Sequence, residues 1–238
     1  MITKREITFS IAIICVLLIF GFLIAQNIGD DVNKKNQEYD CALQIESKDQ
    51  FKYAMKTNAG NAFVYGKYVS LDPVTSDEIS GEYSYLVKYT ERYTKHHRTV
   101  TYKDSDGNTK TKTEDYWTWD NINTECWRSF SCKFLGVKFS ASLFRLPHEK
   151  YLYTIPAGYH LRHVWYGTQA NFVGTIYTKL ANNTITETEL IVDKTTSQAY
   201  DHVKFQNSLR LILFWIAWII VTILIVIGFY VLENEWLE

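Results

Sequence analysis

The stretch YTKHHRTVTYKDSDGNTKTKTEDYWTW, Tyr93 to Trp119, decides the fold. Charged residues alternate with threonines on both sides of Asp106-Gly107, the period of two expected of strands with wet faces. Asp-Gly supplies the positive φ that a tight hairpin turn requires. With those two residues as the turn, Arg98 faces Asp115 and His96 faces Trp117; a three-residue loop slides the register by one. Lys95, Arg98, Lys103, Lys110 and Lys112 form a basic comb, but Asp104, Asp106, Glu114 and Asp115 interrupt it. Nucleic acid needs a basic surface with few acids, so it is not an expected partner. On a hairpin the same lysines blunt an exposed strand edge.

Working outward, the residues on either side also read as strands. In EYSYLVKYTERY the alternation puts Tyr83, Tyr85, Val87 and Tyr89 on one face. CKFLGVKFSASLF, KYLYTIP, YHLRHVWYG, ANFVGTIYTKL and TITETELIV follow, with AGYH and YGTQ as turns. Upstream, AFVYGKYVSL is a strand in which Gly66 marks a bulge or a close backbone approach. DQFKYAMKTNAG is a short helix: Phe51, Ala54 and Met55 share a face, and Gly60 suits its C-cap. With only 3 Pro and abundant aromatic residues, the composition favours a β-rich, mostly antiparallel domain.

The ends of the chain are different. Ile7 to Gly29 and Leu211 to Leu232 carry no charge and no polar face. Each is long enough for the roughly 20 residues of helix that a bilayer core requires. The first apolar run exceeds a signal-peptide h-region, and no small-residue cleavage site follows it. The expected architecture is an α+β membrane protein with two transmembrane helices flanking one β-rich domain. Residues 1–6 are a tail, 7–28 the first span, 29–208 the domain with a hairpin at 93–119, 209–232 the second span and 233–238 a tail. The polar stretch Asn27 to Glu46 is expected to continue the first helix a few turns, and KTTSQAYDHVKFQNSLR to lead helically into the second span, capped by Ser197 or a neighbouring Thr. Lys4 and Arg5 favour cytoplasmic termini and hence an extracytoplasmic domain, although Lys34, Lys35, Lys204 and Arg210 flank the spans on the domain side.

No G-x-S-x-G, phosphate-binding loop, H-E-x-x-H or C-x-x-C occurs. His96-His97 and His160-x-x-His163 point to opposite faces of a straight strand, so neither pair chelates, and no metal or cofactor is expected. Cys126 and Cys132 could bridge across a tight hairpin but not along one strand. The net charge of -1 gives no global field toward an anionic partner. What remains is aromatic side chains beside the charged hairpin. The candidate binding residues are Arg98, Asp115, Tyr116, Trp117, Trp119 and Trp127, with Trp117 and Trp119 on one face and Tyr116 on the other.

The span, the short helix, the strand carrying Gly60, Val64, Gly66 and Val69, and the long strand entering a Trp-rich hairpin resemble a known family. It is the GIDE-type ("beside a membrane") domain of a mitochondrial-anchored ubiquitin ligase and of bacterial membrane proteins. The similarity covers Lys52 to Trp119 and implies a membrane-side recognition domain. The ligase's RING would follow the second span; only ENEWLE follows here, without cysteine, so ligase activity is not implied. The expected function is a non-catalytic binding or scaffold module for a membrane or membrane-proximal protein, in contact with the lipid bilayer and with homo-oligomerisation open. The alternatives are a membrane-bound hydrolase using a Cys/His pair, or a structural subunit assembled through its helices.

Overall fold

The computed structural model describes residues 4–236, over which twelve strands lie between two long helices, α1 (Lys4–Asp40) and α3 (Thr196–Trp236). Both are long and apolar enough to cross a membrane. They run antiparallel, with Arg5 meeting Glu233 at one end and Lys204 meeting Asp40 at the other. Midway, the Trp218 indole donates to the Leu17 carbonyl at 3.0 Å. A Cβ on Gly21 would lie 2.5 Å from that indole nitrogen, so a glycine here lets the ring reach the helix backbone.

α1 continues a few turns past Asn27, as expected, and ends at Asp40, because Leu43–Ile45 (β1) adds as a parallel strand to β2 (Gly60–Ser70). The short helix α2 (Lys48–Lys56) is capped by Ser47, whose side chain accepts from Gln50 N. Its C-terminus does not use Gly60. Asn58 takes the left-handed conformation (φ 54°), and Ala59 N donates to Ala54 O at 3.0 Å, a Schellman closure. α3 starts with a capping box: Gln198 N donates to Thr195 Oγ1 and Thr195 N donates to Gln198 Oε1, so Thr195 rather than Ser197 is the cap.

The strands form two sheets. The first is built on β2 paired with β10 (Asn171–Ala181), extended by β5 (Ser131–Phe134) and β6 (Val137–Ser140) on one side. On the other side lie β12 (Thr188–Val192) and β7 (Phe144–Arg145), while β11 (Thr184–Ile185) pairs with the end of β10. One face of this sheet holds the main core, in which Phe51 and Met55 of α2 meet Val64, Tyr68, Phe134 and Ile176. Gly66 is the close approach anticipated as one option: a Cβ there would lie 2.9 Å from Leu135 Cβ. The other face packs directly on the long helices through Phe63, Tyr39 and Ala199.

The second sheet has the order β4-β3-β9-β8, with β3 (Tyr83–Lys103), β4 (Thr109–Arg128), β9 (Leu161–Gln169) and β8 (Lys150–Gly158), all antiparallel. Leu86 and Trp165 are buried on one face beneath Val74 and Ile79 of the connection from β2. Tyr83 joins that cluster instead of the Tyr85–Tyr89 face, because the register shifts between Tyr83 and Tyr85. Where the chain crosses from β4 to β5, the Asp72 carboxylate gathers the corner. It accepts from Phe130 N and Ser131 N at 2.9 Å, Ser129 Oγ at 2.7 Å and Ser131 Oγ at 3.0 Å. These bonds, the Phe130 amide foremost, hold its carboxyl well below the ordinary range.

Candidate functional site

Beyond Arg92, β3 pairs only with β4, so Tyr93–Lys103 and Thr109–Trp119 make a two-stranded arm. Its register corrects the two-residue turn. Arg98 faces Glu114, not Asp115, and His96 faces Tyr116, not Trp117. The cause is the turn itself. Gly107 N donates to Asp104 O at 3.0 Å, Gly107 sits at φ 81°, and Asp104 N donates to Asn108 O at 3.0 Å. That is a three-residue loop ending in a left-handed glycine. The Asp104 carboxylate favours it by accepting from Asp106 N and Asn108 N at 3.0 and 2.9 Å. Nearer the base, a register shift between Thr90 and Glu91 leaves Ile122 unpaired opposite them.

This register sorts the candidate residues onto two faces. On one, Tyr93 stacks on Trp117 (5.2 Å, 20°) and touches Trp119 (5.2 Å). His160, from the β8–β9 turn, sets its edge against both Tyr93 and Trp117, and Tyr159 stacks on His160 at 4.0 Å. The Arg162 guanidinium lies over Trp119, 4.1 Å from its centroid, and is fixed by Glu91 at 2.7 Å. Tyr159, Trp117 and Trp119 are 88, 46 and 37% exposed, so the group is an open surface. Asp115 shares this face, held by Lys95 at 2.6 Å and by His97. Hydrogen bonds from Lys95 and then His97 lower its carboxyl pKa. Further down, Tyr89, Tyr166 and Tyr151 continue the aromatic line edge to face.

The opposite face carries the rest. Arg98 is bonded to Glu114 at 3.0 Å, and its guanidinium lies 5.9 Å from the Tyr116 ring centroid. Tyr116 stacks on His96, which shares a 2.6 Å hydrogen bond with Asp120. Trp127 lies near the base, stacked on Trp165 with Lys88 beside both rings. They line a cleft of about 270 Å³ closed by Thr75–Glu78. In its wall the Glu78 carboxylate accepts from Trp165 Nε1 at 3.1 Å and pairs with His163 Nδ1 at 2.8 Å. The six candidate residues therefore do not form one site.

Tyr93, Tyr159, His160 and Arg162 belong to the aromatic group and escaped the sequence reading. His160 and Arg162 lie about 40 residues beyond Trp119 and reach the arm only through the β3–β9 pairing. Tyr93 was visible in the arm, but only the correct register places it opposite Trp119.

The bridge between Cys126 and Cys132 is not formed; both thiols are free. Cys126 is exposed on β4 of the second sheet, whereas Cys132 is fully buried on β5 of the first. The crossing at Ser129–Phe130 separates them. Tyr85 donates to Cys126 Sγ at 3.3 Å; this bond and burial push the Tyr85 phenol up to about 12. Among the described residues no histidine hydrogen-bonds a cysteine, and no three His, Cys, Asp or Glu side chains gather as metal ligands. No protein-family model, curated protein or solved structure matches the chain.

Proposed function

We propose that the chain is anchored in a bilayer by α1 and α3 and captures a protein partner on the aromatic face of the arm sheet, without chemistry of its own. The supporting observation is the joined, open group of Tyr93, Trp117, Trp119, His160 and Tyr159 with Arg162 at its border. Trp, Tyr and Arg are the side chains that dominate protein–protein binding energy, especially when clustered. Scattered exposed aromatics need no explanation; a contiguous patch does. The domain is taken as extracytoplasmic with both termini cytoplasmic, on the strength of Lys4 and Arg5. The GIDE-like stretch, Lys52 to Trp119 on α2, β2, β3 and β4, is in keeping with a membrane-side recognition role.

The test uses the full chain in its own membrane, with a photo-crosslinking residue at Lys95, which pairs with Trp117 and shares the face of the two exposed tryptophans. Crosslinking to a discrete partner is expected, and Trp117→Ala with Trp119→Ala should reduce it at least tenfold, equivalent to roughly 1.4 kcal/mol or more. Deleting Thr99–Thr113, which carries none of the aromatic group, should leave it largely intact. Loss on the deletion but not on the tryptophan changes would place the contact at the arm's tip instead.

A further inference from the structure

A second cleft lies where the first sheet meets the two long helices. It measures about 330 Å³, and its walls include Lys35 of α1, Tyr177 of β10, Glu189 of β12, and His202 and Arg210 of α3. Its floor is fixed: Asn207 donates to Val32 O and to Asn36 Oδ1, both at 3.0 Å.

Three observations define what the cleft would accept. First, its cations are uncommitted. Among the described residues no carboxylate lies within 4.0 Å of Lys35 or Arg210, whereas nearby Lys204 is held by Asp40 at 2.8 Å. Second, the Tyr177 hydroxyl is buried and has no hydrogen-bond partner. Burial and the nearby Glu38 and Tyr39 keep it protonated, with its pKa pushed up to about 12, so it offers a donor without an acceptor. Third, the cleft stands at one depth. Arg210 directly precedes the uncharged run Leu211 to Leu232, and Lys35 follows shortly after the run that ends at Gly29. At 1.5 Å rise per helical residue both lie within about 10 Å of the apolar boundary, the level of a lipid headgroup. Among the lining residues Lys35 and Arg210 stand against the carboxylate of Glu189, with Glu38 outside the lining but near the Tyr177 hydroxyl.

We propose that this cleft binds the phosphodiester of an anionic lipid, with Lys35 and Arg210 on the phosphate oxygens and the Tyr177 hydroxyl donating to one of them. The assignment depends on α1 and α3 crossing a bilayer and is independent of the aromatic face.

The full chain, purified in a neutral detergent, would be offered phosphatidylglycerol and phosphatidylcholine with identical acyl chains, and bound lipid read by native mass spectrometry. Phosphatidylglycerol should be retained at least tenfold better. Lys35→Ala and Arg210→Ala should each weaken it about tenfold, and Tyr177→Phe several-fold. Lys35→Arg should preserve retention, and Lys34→Ala, which removes a charge outside the cleft, should change it less than twofold. Equal retention of the two lipids, or an equal loss from Lys34→Ala, would overturn the proposal. So would displacement by millimolar glycerol phosphate, which would make the guest a soluble phosphate. Alkaline extraction of the chain's own membrane separates the two premises: release of the chain would sink the bilayer anchor itself, whereas retention with no lipid preference would sink only the cleft.

Discussion

At the residue scale, Asp72 does more than its exposure suggests. Its four hydrogen bonds tie the end of β2 to the point where the chain passes from the arm sheet back to the core sheet. Removing them by Asp72→Ala is expected to cost about 1–2 kcal/mol, the lower end being favoured because water competes at an exposed site. The folded pKa is depressed, so the stabilisation is complete above the unfolded value of about 3.9 and is lost as pH falls through the folded one. Urea midpoints of the two proteins should therefore differ at pH 7, begin to converge as pH falls past about 3.9, and meet only below the depressed folded pKa. A gap that persists in acid would mean that the corner is held by packing and that the carboxylate is incidental.

At the element scale, the arm shows how far local sequence goes. Alternation announced two strands, and Asp-Gly announced a turn, yet the same dipeptide serves a two-residue loop and a three-residue one. The choice fell to the Asp104 side chain, which satisfies two loop amides only in the longer loop. A single slip then re-paired every residue from Lys103 down to Glu91 until Ile122 took up the difference. Which side chains share a face survives such a slip on each strand alone but not across strands. That is why Trp117 and Trp119 were legible as a pair while their neighbours Tyr93, His160 and Arg162 were not. The assembly of strands into two sheets was equally hidden, since period two says nothing about a strand's partner. Gly107→Ala should strain the left-handed turn by about 1 kcal/mol. Hydrogen exchange is expected to quicken in residues 99–113 only; protection lost as far as Trp119 would mean that the turn sets the stability of the whole arm.

At the scale of the whole molecule, two of the domain's three thiols, on the successive strands β4 and β5, report on two different bodies of structure once the exposed Cys41 is replaced by alanine. Cys126 is exposed on the arm sheet. Cys132 is sealed in the main core, where burial pushes its thiol up to about 11. Since the thiolate is the reactive form, a membrane-impermeant maleimide should modify Cys126 within minutes and leave Cys132 untouched until the domain unfolds. With intact cells the same reagent reads orientation: Cys126 labelled without permeabilisation places the domain outside, and labelling that needs permeabilisation reverses the proposed topology. Modification of Cys132 in the native protein would mean that the core sheet opens.

The apolar helices were the clearest feature of the sequence, but not that they run unbroken into the folded domain. The 37 residues of α1 and 41 of α3 pass without a flexible joint into contact with the core sheet through Tyr39, Phe63 and Ala199. The domain consequently has no hinge of its own at the base. Any tilt or relative sliding of the helix pair is handed on through that contact to the core sheet. From there it reaches β3, whose 21 residues extend about 70 Å. A rotation of about 10° at the root of such a strand would carry its tip through about 12 Å, so wherever the two sheets move as one body, small motions of the helices would become large sweeps of the arm.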